Sequence, residues 1–423
     1  MKRNILALMV TLLLYAPAFA DDAAPPSRQT LDLDDCVEIA LSRNPEITAA
    51  RGSVSAAEAV LGQARTADNP SLSFSSSWTT QRTASTSVTD DSFSSSVGLS
   101  QLVTDWGKTH AAVKQKASAR DRVAFQARGT VIDVIYDVRE SYYQLLKAQG
   151  AVEVAEETLE LNDIQLAQAM AFFDVGAVSK YDVTTARVAQ GRARLTLIQA
   201  KTDMADALVA LKTAMGVPES ADFEIEDVRQ VYVIDIEPEE ALERALANRP
   251  DLLAVKAQED VSRAALTVSR LGNTPELSLT GSYSWGDTQF TGNDSWRTGV
   301  TLSFSLYDGG LQSQKTTEAR ANLQVAEANT DAARNDVMKE VQQAWLGYRD
   351  SLESVQVAQA AFGLAEENLD IATGRYRVGV GSPVEVQDAT QQFSEAKNEY
   401  LGELYDHLIA VAALHHVVGG DIQ

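Results

Sequence analysis

Histidine and cysteine are almost absent from this chain: of 423 residues, four are histidine and one, Cys36, is cysteine. A single thiol excludes an intrachain disulfide. Cys36 stands among Leu33, Val37 and Ile39 and reads as a small core residue. His110, His407, His415 and His416 have no metal-ligand spacing, and the adjacent His415 and His416 point apart on any helix. No glycine-rich phosphate loop is present either, since Gly309-Gly310 lacks the lysine and the spacing. Without a catalytic constellation the chain does not read as an enzyme, and no cofactor and no metal is expected. Basic residues are also scarce, 36 against 59 acidic, for a formal charge of −23. That balance disfavours nucleic acid and anionic lipid surfaces as partners. It fits either a well-hydrated surface or an acidic lining that admits cations. The apolar run Ile5 to Leu14 is too short to span a membrane comfortably. With Lys2 and Arg3 before it and Ala18-Phe19-Ala20 after it, residues 1–20 read as a secretory signal peptide. No cysteine follows the cleavage site, so lipidation of the mature N-terminus is not expected.

What the chain does have is a duplication. Phe173-Asp174-Val175-Gly176-Ala177-Val178-Ser179 is matched by Tyr376-Arg377-Val378-Gly379-Val380-Gly381-Ser382, with the two glycines 203 positions apart (379 minus 176). In each copy glycine ends a long helix and serine caps the next. Ser179 with Asp182, and Ser382 with Glu385, read as capping boxes. The chain therefore divides into a first repeat (21–218), a connector at the waist (219–237) and a second repeat (238–423), with hairpin tips at 173–182 and 376–385. Residues 21–30, with Pro25-Pro26, read as a flexible arm. Asp32 or Asp34 caps a short helix, and Asn44-Pro45 restarts it, echoed by Asn248-Arg249-Pro250.

Between the helices the period changes to two. Leu72, Phe74, Ser76 and Trp78 alternate with Ser71, Ser73, Ser75, Ser77 and Thr79. Strands are expected at 71–82, 92–103, 276–286 and 295–307, with loops at 82–91 and 286–294. Trp78, Phe93, Trp285 and Trp296 flank those loops and suit an interfacial aromatic girdle. The long helices 108–172 and 311–374 carry the seams Ile135, Val138, Tyr142, Leu145 and Met338, Val341, Trp345, Tyr348. Helices 180–215 and 238–271 are expected to stack end to end along one long helix, and the last helix with the first along the other. Each strand is long enough to cross a bilayer when tilted. Four strands cannot close a barrel, and an open edge is forbidden in lipid. Strands in lipid therefore require several chains: two would give a plugged eight-stranded barrel, three a twelve-stranded one with room for a pore.

On these residues the chain resembles the TolC-like outer-membrane efflux protein family over residues 30 to 418. The resemblance rests on Asn44-Pro45-Glu46, Arg249-Pro250-Asp251, the turn Tyr307-Asp308-Gly309-Gly310 and the two tips, within a doubled helix-strand-strand-helix plan. It implies a mainly α protein with transmembrane β. The implied assembly is a homotrimer, with a 12-stranded β-barrel in the outer membrane of a Gram-negative bacterium and a 12-helix coiled-coil periplasmic tunnel. The implied partners are outer-membrane lipid, a periplasmic adaptor and an inner-membrane transporter. It places the tunnel aperture at Asp182, Tyr376, Glu385 and Asp388, and adaptor docking at Gly176, Ser179, Gly379 and Ser382. The arginine that locks the closed tunnel in relatives falls here on Gly381, so the closing linkage must differ. The lipidated cysteine of some members is also missing. The expected function is the exit duct of a tripartite efflux pump. The alternatives are the duct of a type I protein secretion system and, remotely, a soluble periplasmic coiled-coil adaptor. An adaptor would need one hairpin and no amphipathic strands.

Overall fold

Both restarts of the helical pattern appear where the sequence puts them, because each has a local cause. Asp32 caps α1 (Leu33–Arg43) in a reciprocal box with Asp35. Asn44 accepts from the Glu46 N–H at 2.7 Å and starts α2 (Pro45–Arg65), with proline where no amide partner is needed. The computed structural model describes residues 29–83, 88–221, 223–287 and 293–420. The expected signal segment and residues 21–28 of the expected arm lie outside the described residues. The first repeat continues with β2 (Ser71–Thr83), β3 (Val88–Thr104), α3 (Lys108–Asp174) and α4 (Lys180–Met215). The second holds α5 (Pro238–Asn248), α6 (Pro250–Arg270), β5 (Glu276–Asp287), β6 (Asn293–Ser303), α7 (Leu311–Arg377) and α8 (Pro383–Val418). At the waist β1 (Gln29–Leu31) pairs in parallel with β4 (Phe223–Ile225), so Gln29 and Thr30 are strand rather than arm.

The long helices α3 and α7 have 67 residues each, about 100 Å at 1.5 Å per residue. Each begins after the same turn. Asp105 accepts from the Gly107 and Thr109 N–H groups at 3.1 and 2.6 Å, and Asp308 from those of Gly310 and Gln312, both at 2.9 Å. Burial pushes the Asp105 carboxyl up, but its hydrogen bonds from Thr109 and Gly107 outweigh this and hold it below the usual range.

The strands form one antiparallel sheet in the order β2-β3-β5-β6. Register places Leu72 beside Leu99, Phe74 beside Val97, Val97 beside Tyr283, and Leu279 beside Val300. One face is therefore apolar. The other carries Ser73, Ser75, Ser96, Thr280, Ser282 and Ser284. The aromatic rings gather toward the loop end of the apolar face, with Trp78 against Phe93 and Tyr283 against Trp285 at 6.4 and 5.7 Å. Two of the polar residues on that face satisfy each other: buried Ser95 donates to Ser76 at 2.9 Å.

The strand limits differ from expectation in two places. Of the loop expected at 82–91, residues 82–83 and 88–91 are strand, because the ladder continues from Thr79–Ser92 through Arg82–Thr89 to Thr83–Val88; 84–87 lie outside the described residues. Polar sequence does not stop backbone pairing. The fourth strand ends at Ser303, not 307, because its partner β5 begins at Glu276, which pairs with Ser303. Phe304, Leu306 and Tyr307 beyond it are exposed.

The helices form four columns: α2 with α4, then α3, then α6 with α8, then α7. The expected end-to-end stacking is corrected. α4 abuts α2 of its own repeat: the Asn44 side-chain amide donates to the Ala214 carbonyl at 2.9 Å, and a Cβ on Gly216 would sit 2.8 Å from the Asn44 Cα. α8 likewise abuts α6, with a Cβ on Gly419 falling 3.1 Å from the Arg249 nitrogen. Both α4 and α8 run from tip to waist, where α2 and α6 start toward the sheet, so each repeat completes its own column. Arg249 gives α6 no side-chain cap. It bridges Asp251 and Glu340, both at 2.6 Å, and ties α6 to α7.

The connector fills the waist. Tyr142, fully buried in the larger core, donates to the Glu226 carbonyl at 2.6 Å. Its repeat counterpart Trp345 donates to the Ile236 carbonyl at 3.1 Å. Tyr405 donates to Asp227, and Arg229 pairs with Glu153 at 2.8 Å. His407 lies buried between Tyr232 and Ser351, and burial lowers its pKa. His416 meets Asp133 at 2.7 Å. Cys36 is buried as expected, and burial pushes its thiol up to about 12. Of the second seam, Met338 is exposed, and its neighbour Val337 is buried instead. Tyr142→Phe should strand the Glu226 carbonyl. The expected loss is about 1–3 kcal/mol, read as a lower denaturation midpoint with unchanged helix content.

Candidate functional site

At the first tip, Gly176 has φ 77° and Gly379 at the second has φ 80°, as the repeat implies. The Gly176 and Ala177 N–H groups donate back to Phe173 and Phe172, closing α3. Ser179 then makes the expected capping box: the Asp182 N–H donates to its hydroxyl, and the Asp182 carboxylate accepts from the Ser179 N–H at 2.9 Å and hydroxyl at 2.7 Å. The Ser179 hydrogen bonds hold Asp182 below the usual carboxylate range.

The second tip is built differently. Ser382 accepts from the Glu385 N–H at 3.2 Å, but Glu385 does not return the bond, so the expected second box is half a box. Its carboxylate faces the Arg375 guanidinium at 3.5 Å. The first repeat has Phe172 at the matching position (375 minus 203), so no cation competes for Asp182 there. Gly381 is held by backbone proximity: a Cβ would lie 2.9 Å from the Tyr376 nitrogen and 3.1 Å from the Arg375 carbonyl carbon. A side chain at this position would require the tip backbone to shift.

Asp182 and Tyr376 are brought together. Tyr376 is buried, its ring edge-on to Phe172 at 5.6 Å. Its hydroxyl has no hydrogen-bond partner among the described residues. Tyr376 lines a small cleft with Tyr181, Asp182, Thr185 and Gln387. Burial, and then the charge of Asp182, raise its pKa. Beneath lies an apolar cluster of Leu369, Val386 and Phe393, packed with Leu161 and Phe172 of the first hairpin. It binds the two hairpins near their tips. Glu385 and Asp388 are not part of that cluster. They stand exposed, three residues apart on one side of α8. The role of Arg375 was missed from the sequence, although a cation ten positions before Glu385 across a glycine turn was a readable signal.

No group of His, Cys, Asp and Glu suited to a metal occurs among the described residues. No helix among them is long and apolar enough to cross a membrane. The outer membrane efflux protein family model matches residues 36–217 and 241–420, one match per repeat. The outer membrane protein TolC of Escherichia coli is 24% identical over 388 residues, covering 86% of this chain and 78% of TolC. The cobalt-zinc-cadmium resistance protein CzcC of Cupriavidus metallidurans is 26% identical over 413 residues, covering 95% of this chain and 92% of CzcC. The CmeC outer membrane channel of Campylobacter jejuni superposes with a TM-score of 0.83 at 21% identity, covering 92% of this chain and 85% of CmeC. With both repeats matched and the column-and-sheet plan shared with a solved channel, this chain belongs to the outer membrane efflux protein family.

Proposed function

We propose that the chain is the outer-membrane exit duct of a tripartite efflux pump. In this reading three copies close a 12-stranded barrel in the outer membrane and continue it as a 12-helix tunnel through the periplasm. Small molecules pass from periplasm to exterior. One observation carries the reading: a single apolar-faced sheet ends in two strands, β2 and β6, that among the described residues pair on one side only. Their free edges cannot remain unpaired in lipid, and a second and third copy supply the partners. The tips around Gly176, Ser179, Gly379 and Ser382 are where a periplasmic adaptor docks, with the inner-membrane transporter beyond it. Asp182, Tyr376, Glu385 and Asp388 line the aperture. The CzcC relative, named for metal resistance, favours small solutes over secreted proteins as cargo.

Detergent extraction of the membrane fraction, followed by light scattering corrected for bound detergent, should give the mass of three chains. A monodisperse monomer soluble without detergent would overturn the duct.

A further inference from the structure

The polar face of the sheet is poor in charge and in long side chains. Along 71–77, 92–100 and 278–284 every residue turned to that face is serine, threonine or glycine. One long cation breaks the pattern. Arg297 pairs with Ser282, Ser282 with Gly98, and Gly98 with Ser73. Paired residues point to one side of a sheet, so register puts Arg297 on the polar face. It stands six residues from the base of β6 (303 minus 297) and four from its loop end (297 minus 293).

That face is the one an arginine needs. On the apolar face it would meet lipid, where a cation near mid-bilayer is strongly destabilising. A slip of one residue in β6 would turn Arg297 to the lipid and bring Trp296 and Val300 to the polar side. Arg297 is exposed and makes no hydrogen bond or ion pair among the described residues. The acid that shares its face among the described side chains is Glu276, six positions along β5 from Ser282 (282 minus 276). Six residues of strand span about 20 Å, more than two Debye lengths at physiological salt, about 8 Å each. Glu276 therefore leaves the Arg297 charge uncompensated, in a chain whose formal charge is −23.

We propose that Arg297 is an anion-recruiting site in the barrel lumen, favouring solutes that carry carboxylate or phosphate groups on their way out. The proposal rests on the three-copy duct and adds what its barrel selects. Twelve strands about 4.8 Å apart and tilted by about 40° put the backbone about 12 Å from the barrel axis. Serine and glycine leave that width open, whereas an extended arginine carries its charge about halfway to the axis. Three guanidinium groups at one level narrow the lumen and set its sign. Each presents a planar fork of donors that matches carboxylate and phosphate oxygens. The acids at the tips do not cancel them, because α3 and α7, 67 residues each, hold the two ends about 100 Å apart.

The test is recording from purified protein in planar bilayers, with pyrophosphate as the probe. Pyrophosphate added on the loop side should reduce the wild-type conductance. Arg297→Ser, which copies its neighbours on the face, should lose most of that block, and Arg297→Lys should keep it. Arg297→Ser should also lower the anion-to-cation permeability ratio about threefold at 0.1 M salt, and further at 0.01 M, where the Debye length is about 30 Å. A second measurement compares one protein with itself. Arg297→Cys should regain the block on reaction with 2-aminoethyl methanethiosulfonate, which restores a positive charge, while buried Cys36 stays unmodified. A wild-type protein that conducts no current refutes the duct. A conducting channel whose block and permeability ratio are the same in Arg297→Ser, or whose Arg297→Cys form does not respond to the cationic reagent, refutes this site alone.

Discussion

Gly216→Val should leave little protein in the outer membrane, and what remains should melt well below wild type. Two costs add at this position. Gly216 has φ 67°, a conformation that costs a residue with a side chain about 1–2 kcal/mol. Its Cβ would also stand 2.8 Å from the Asn44 Cα and 3.1 Å from the Pro45 Cδ. Overpacking of that kind costs about 1–3 kcal/mol. The atoms in the way belong to the backbone that starts α2 and to the ring of its first residue, which cannot swing aside as a side chain would. Separating α4 from α2 would also pull the Asn44 amide from the Ala214 carbonyl. Gly309→Val is the control. Gly309 has nearly the same φ, 66°, but nothing lies within 4 Å of its Cβ position, and the first repeat has Trp106 there at φ 54°. That variant should lose only the conformational cost. Equal apparent melting temperatures for the two variants would mean that the α4–α2 junction is looser than its geometry indicates.

The same junction marks the boundary of what the sequence discloses. The repeat, the helix caps at Asp32, Asn44 and Ser179, the glycine tips and the period-two strands are local, and each is written in a few neighbouring residues. Nothing local distinguishes α2 from α6 as the continuation of α4, since both start with proline at the waist and both head for the sheet. Long-range contacts make the choice, among them the Asn44 amide on Ala214, 170 positions away, and the fit of Gly216 against Asn44. The strand limits show a related effect: β3 reaches Val88 through polar residues because β2 offers it a partner, and β6 stops at Ser303 because β5 offers none beyond. At the tips, Asp182 and Glu385 look alike in sequence, each three residues after a serine cap. Their surroundings separate them, since Arg375 stands beside one and Phe172 occupies its place by the other.

Glu385 and Asp388, the two acids of the proposed aperture, are unequal for the same reason. Glu385 shares its charge with the Arg375 guanidinium at 3.5 Å, whereas Asp388 has no ion pair or hydrogen bond among the described residues. In the proposed trimer each position would supply a ring of three. A carboxylate about 6 Å from a passing monovalent cation contributes about 0.7 kcal/mol at the dielectric of water, so a ring contributes about 2 kcal/mol before screening. Mobile ions reduce this over a Debye length of about 8 Å at physiological salt. Asp388→Asn should therefore lower the cation-to-anion permeability ratio about threefold in planar bilayers, while Glu385→Gln alone should change it little. Arg375→Ala should raise the ratio by releasing the Glu385 carboxylate. In that background Glu385→Gln should cost as much selectivity as Asp388→Asn does in the wild type. Capping predicts the opposite pattern, because Glu385 lies in the first turn of α8 at the positive end of the helix and Asp388 lies beyond it. If reversal potentials stay the same in Asp388→Asn and in the Arg375→Ala background, the acids serve the helix and not the passage of ions.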